Sequence, residues 1–84
     1  MVTFYMVLTL SSVAAPHALF FSQPQPWKNE LECRHALPKM ESAVTRLMQY
    51  DPSALGLFGT IAGGPLNRSY FVSYYECRLM QGGP

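Results

Sequence analysis

Apolar and polar positions alternate from the start of the chain. Val2, Phe4, Met6, Leu8 and Leu10 fall on one face of an extended segment, and Thr3, Tyr5, Val7 and Thr9 fall on the other. β-Branched and aromatic side chains dominate this stretch, as they do in half-buried sheet, so the pattern predicts a strand over residues 2–10. Ala14-Ala15-Pro16-His17 reads as a turn, because Pro16 has no N–H to give a central ladder. Ala18-Leu19-Phe20-Phe21 then reads as a second short strand, closed by the extended Gln23-Pro24-Gln25-Pro26 run. Two strands joined in this way predict a hairpin.

The period changes after Asn29. Asn29 with Glu32 three residues on is a helix N-cap signature, since the two side chains suit the unpaired amides of a first turn. Cys33, Leu37, Met40, Val44, Leu47 and Met48 recur at three- and four-residue steps, while Glu41, Ser42, Thr45, Arg46 and Gln49 take the opposite face, predicting a helix to about Tyr50. Pro38 removes the bond to the Arg34 carbonyl, so it either kinks this helix or marks the first turn of a shorter one. The competing reading is a strand over residues 30–35, in which Leu31, Cys33 and His35 alternate with Glu30, Glu32 and Arg34.

Residues 70–80 form the clearest strand pattern, with Phe71, Tyr75, Cys77 and Leu79 read on one face and Glu76 and Arg78 on the other. The elements together predict an α+β domain: a small antiparallel sheet of two N-terminal strands plus the C-terminal strand, with one amphipathic helix packed on one face. One helix covers one face only. Tyr5 and Val7 on the first strand, and Val72 and Tyr74 on the last, are expected on the uncovered side.

Residues 51–69 make a connection several times longer than the two to six residues common between a helix and a strand. Asp51-Pro52-Ser53 opens it as a helix-ending turn, and Gly56, Gly59, Gly63 and Gly64 supply further bends. Leu55, Leu57, Phe58, Ile61 and Leu66 are too apolar to be left in water. They either fold back as a lid over the core or insert into a neighbouring protein.

Composition narrows the function classes. The 84 residues allow one domain, residues 1–84, and 49% hydrophobic content marks a chain that folds. Only 13% of residues are charged and the formal net charge is +1, so there is no basic stripe for phosphates, which argues against nucleic-acid binding.

The first charge is Lys28, so the N-terminal region supports two further readings beside the strand. A secretory signal would use residues 1–10 as its apolar region and Val13-Ala14-Ala15 as its cleavage site, but it lacks a basic start. A membrane span would have to carry Ser11, Ser12, Pro16 and His17 in its middle. The strand is preferred, and with it a mature chain that retains Met1.

Cys33 and Cys77 permit a single intramolecular pairing. Each falls on the inward face of its own element, so a disulfide across the helix–sheet interface competes with two buried free thiols.

Two strands, a cysteine early in a helix containing Leu37-Pro38, a long amphipathic run and a final strand with the second cysteine resemble short uncharacterised proteins of alphaproteobacteria and their phages. The resemblance covers residues 32–78 best. Those proteins often carry a further cysteine pair near the first strand, where this chain has Ser11 and Ser12. The resemblance brings no reaction and no catalytic residue, and it implies a virion accessory or cementing subunit as a setting.

Candidate chemistry is sparse. A Cys33–His35 nucleophile and base would point to different sides of a helix. Cys33, His35 and Cys77 lack the paired spacing of a structural zinc site, so no metal and no cofactor are expected. Asn67-Arg68-Ser69 matches a glycosylation pattern that is frequent by chance. The glycines precede no Lys-Ser or Lys-Thr and no helix, which argues against a phosphate loop.

The expected function is therefore a non-enzymatic protein-binding or structural subunit of an assembly, with itself or another protein as partner. Trp27, Leu55, Leu57, Phe58, Ile61 and Leu66 are its candidate contact residues. Two alternatives stay open: a small inhibitor of a host or competitor protein, and a secreted or periplasmic disulfide-stabilised protein. A cytoplasmic or virion location fits the first reading, and an exported one fits the last.

Overall fold

β1 (Thr3–Ser11) lies inside a four-stranded antiparallel sheet of order β3-β2-β1-β4, flanked by β2 (Leu19–Ser22) and β4 (Phe71–Met80), with β3 (Thr60–Ala62) beyond β2. The helix α1 (Glu30–Tyr50) and a short 3₁₀ helix (Pro52–Leu57) complete the elements of the described residues. The computed structural model describes residues 3–80; Met1, Val2 and the Gln81-Gly82-Gly83-Pro84 tail lie outside the described residues. The fold is α+β as expected, with one strand more than the three read from the sequence. The extra strand, β3, comes from the long 51–69 connection, which is built rather than loose.

The alternation in β1 sorts its side chains as the pattern requires. Met6, Leu8 and Leu10 are fully buried against α1, and Leu19 and Phe21 of β2 join them. Tyr5, Val7 and Thr9 sit on the opposite face, but Val7 is buried there rather than left open to solvent as expected.

The Gln23-Pro24-Gln25-Pro26 segment is followed by a return to the sheet. Trp27 and Phe4 exchange two backbone hydrogen bonds of 2.7 Å, so Trp27 continues the β2 side of β1 after β2 has ended.

α1 begins where the cap signature placed it. The Asn29 side-chain oxygen accepts from the Leu31 amide at 2.8 Å, and Glu30 and Glu32 put negative charge in the first turn. The strand alternative for residues 30–35 does not survive, because helix runs unbroken from Glu30. Pro38 lies within α1 on its solvent side, as does Arg34, so water can reach the carbonyl that loses its partner. Cys33, Leu37, Val44 and Met48 form the buried stripe, and Met40 and Leu47 stand half-buried at its margin.

Asp51 ends one helix and starts the next. Its amide donates to the Leu47 carbonyl at 2.7 Å, and its carboxylate accepts from the Ser53 amide at 3.2 Å and the Ser53 hydroxyl at 2.7 Å. The last turn of α1 has no basic residue of its own, and Arg68 supplies one by donating to the Tyr50 carbonyl at 3.1 Å.

The last strand departs from its expected faces at its start. Thr9 is opposite Tyr74 and Leu10 is opposite Val72, so Ser73 is an extra residue in the ladder. The bulge reverses the alternation. Val72 therefore joins the α1 side and packs on the core, while Phe71 is carried to the outer face beside Ser11. The Ser73 hydroxyl fills the gap, lying 2.7 Å from the Ser11 hydroxyl and donating to the Thr9 carbonyl at 3.3 Å. Beyond the bulge the reading holds, with Tyr75, Cys77 and Leu79 on the α1 side and Tyr74, Glu76 and Arg78 on the other.

Candidate functional site

The 51–69 segment divides into a buried half and an exposed half. Leu55 is fully buried in the main core, which withdraws it from any contact with another molecule. Leu57 and Phe58, two and three residues further on, are 84% and 62% exposed. The 3₁₀ helix explains Leu57: at three residues per turn, two steps from the anchored Leu55 bring it to a different side, while Phe58 follows as the C-cap, where the chain leaves the helix.

Gly59 follows because the chain must then pass against β2. A Cβ at this position would lie 2.5 Å from the Ser22 carbonyl oxygen and 2.6 Å from the Phe21 ring. β3 pairs with β2 immediately afterwards, and Ile61 packs half-buried on the core. Gly63 and Gly64, with φ of 114° and 136°, turn the chain towards β4, and Leu66 is half-buried on the way.

Leu57 and Phe58 form one wall of an open groove of ≈ 730 Å³ whose other wall is the C-terminal half of α1, including Met40, Leu47 and Tyr50. Phe21 lies in its floor, and Gln23, Gln25 and Arg46 give it a polar rim. Its lining is mainly hydrocarbon and aromatic, so the groove can bury apolar surface and orient a ligand by a few amide and guanidinium contacts. Its lining offers no carboxylate, imidazole or thiol for proton transfer.

Of the six contact candidates, Leu57 and Phe58 stand together on this surface and Leu55 lies beneath it. Trp27, Ile61 and Leu66 are half-buried parts of the domain's own packing. Tyr50, 82% exposed, was not singled out in the sequence, nor were Met40 and Leu47 as groove residues. The signal was present: Met40 and Leu47 are a heptad apart at the edge of the helical stripe.

Cys33 and Cys77 have their Cα atoms 6.2 Å apart and their Sγ atoms at bonding distance, the spacing of a disulfide. His17 and His35 are both exposed, and neither side chain makes a hydrogen bond among the described residues. Among those residues, no three of His, Cys, Asp and Glu gather closely enough to hold a metal ion.

Asn67 accepts hydrogen bonds from the Ser69 amide, at 2.8 Å, and from its hydroxyl, which makes Asn67-Arg68-Ser69 a side-chain-closed turn. On the outer sheet face Arg78 Nε donates to Glu76 at 2.6 Å. Glu76 first, and Tyr5 second, hold the Arg78 pKa above its usual value by hydrogen bonding.

No helix among the described residues is long and apolar enough to cross a membrane. The chain matches no family model, no curated protein and no solved structure.

Proposed function

We propose that this chain is a non-enzymatic protein-binding or structural subunit of a larger assembly, and that the groove between α1 and the 3₁₀ helix is its docking surface for protein. The observation that carries the reading is the pair Leu57 and Phe58: two large apolar side chains held out in water on a segment fixed by Leu55 beneath and β3 behind. A mobile loop could hide such residues by collapsing, whereas here the anchored backbone keeps them presented. Tyr50 across the groove adds a third large exposed ring. Aromatic and aliphatic anchors with a polar rim are the anatomy of a protein contact. In the phage setting that the resemblance implies, the subunit is a virion accessory or cementing protein.

The Cys33–Cys77 pair favours a second reading, a disulfide-stabilised protein of an oxidising compartment. Export by cleavage after Ala15 does not fit it, because that cut removes β1 and with it the fully buried Met6, Leu8 and Leu10.

The test is to substitute Phe58→Asp and to measure both unfolding and association with the native assembly. The unfolding free energy should change by about 0.5 kcal/mol or less, as for an exposed site. Association should weaken by about 2 kcal/mol or more, as for a buried hot spot. A substitution that unfolds the domain and leaves association of the folded fraction unchanged makes the segment a core lid and refutes the docking role.

A further inference from the structure

β4 is an edge strand of unusual exposure. β1 pairs along one side of it from Phe71 to Met80, and among the described residues no strand pairs with its other side. Natural edges are commonly blunted by Lys, Pro or short length, and this ten-residue strand has no Lys and no Pro. Its one irregularity, the bulge at Ser73, lies near its start and leaves residues 74–80 as regular strand.

Large apolar side chains stand exposed on both faces of β4. Tyr74 is 57% exposed on the outer face, and Leu79 is 53% exposed on the α1 side, where the helix reaches Cys77 but leaves the rim open. The two charges of the strand, Glu76 and Arg78, are both on the outer face.

We infer that β4 pairs edge to edge with β4 of a second copy of this chain, antiparallel about a twofold axis at Cys77, so that two four-stranded sheets become one. Residues directly opposite in an antiparallel pair share a face, so a twofold axis normal to the sheet passes through a residue position. An axis at Glu76 sets that carboxylate against its own copy, and an axis at Arg78 does the same to the guanidinium; like charges directly opposite are unfavourable. The axis at Cys77 sets Glu76 opposite Arg78 of the second copy and Arg78 opposite Glu76 of the second copy. No other register brings these charges into opposition.

The same register places Tyr75 against Leu79 of the second copy on the α1 side, and Tyr74 against Met80 of the second copy on the outer face. The charge pattern is thus self-complementary in the one alignment that also pairs the exposed apolar residues, and this identifies a second copy as the occupant. The contact goes beyond the proposed docking groove, which lies over β2 on the far side of β1.

Sedimentation velocity over a dilution series tests the pairing on the full chain, with Glu76→Arg, Arg78→Glu and the double reversal beside the wild type. The wild type should dimerise. Each single reversal makes both symmetric charge pairs repulsive and should raise the dissociation constant about tenfold or more, while the double reversal restores opposite charges and should return it to within about threefold of wild type. A monomer throughout, or a dimer indifferent to all three variants, overturns the inference. A dimer abolished by Phe58→Asp and untouched by the charge reversals also overturns it, while leaving the groove reading standing. Hydrogen exchange on the wild type provides a second measurement that needs no folded variant: the alternate amides of residues 74–80 that face away from β1 should gain protection as the dimer forms. Exchange unchanged with concentration, or protection gained only with a strand from a different protein, contradicts self-pairing.

Discussion

Cys33 of α1 and Cys77 of β4 meet across the helix–sheet interface with Cα atoms 6.2 Å apart, although 44 positions separate them in sequence. The pair joins the first turn of the helix to a strand that, among the described residues, has a strand neighbour on one side only. Closing a loop of this length stabilises the fold by about 4 kcal/mol in the chain-entropy model. Replacing both residues by Ala should therefore lower the unfolding free energy by an amount of that order, read from denaturant titration. In unfolded, unreduced protein an alkylating agent should add no mass, and after reduction it should label both residues. Labelling without reductant would show two thiols in place of the bridge.

Leu55 and Leu57 give opposite expectations from neighbouring positions. Leu55→Ala leaves a cavity in the main core and should cost about 3 kcal/mol of stability, within the usual range for buried leucines. Leu57→Ala removes a side chain already in water and should shift stability by about 0.5 kcal/mol at most. Equal losses at both sites would mean that the 3₁₀ helix does not sort the segment into an anchor and a presented surface.

Gly59 and Gly56 form a second contrast. Gly59→Ala drives a methyl group into the Ser22 carbonyl and the Phe21 ring and should destabilise by about 1–3 kcal/mol, the usual cost of overpacking. At Gly56 no atom lies within 4 Å of an added Cβ, so Gly56→Ala should be neutral or slightly stabilising in thermal melts. If Gly59→Ala is also neutral, β3 does not sit against β2 as closely as described.

The sequence revealed most where one period ran without interruption. β1 was legible because its inward set Phe4, Met6, Leu8 and Leu10 repeats without a break, and α1 because its stripe survives Pro38, whose lost hydrogen bond falls on the solvent side. The face of Phe71 and Val72 was not legible, since Ser73 looks like any polar strand residue and only pairing with β1 makes it an extra one. β3 was hidden for a related reason: three residues, Thr60, Ile61 and Ala62, are too few to show a period, and β2 rather than local propensity holds them in line. Arg68 capping the end of α1 depends on a contact across 18 positions, which no local pattern encodes.

The site divides along the same lines. The apolar character of residues 55–66 was legible, but their assignment to core or surface was not. Hydrophobicity alone gives Leu55 and Leu57 the same reading, and only the 3₁₀ geometry separates them. Trp27 is the reverse case, since a large ring after two prolines suggested a free anchor, whereas its backbone is tied to Phe4 and its ring packs on the core.

Site-specific photo-crosslinking in the native source tests the docking groove directly, with a photoreactive phenylalanine at position 58 and another at the exposed Lys39 as control. Position 58 should give one defined protein adduct and position 39 none. No adduct from position 58, or the same products from both positions, would contradict a protein-docking role for the groove.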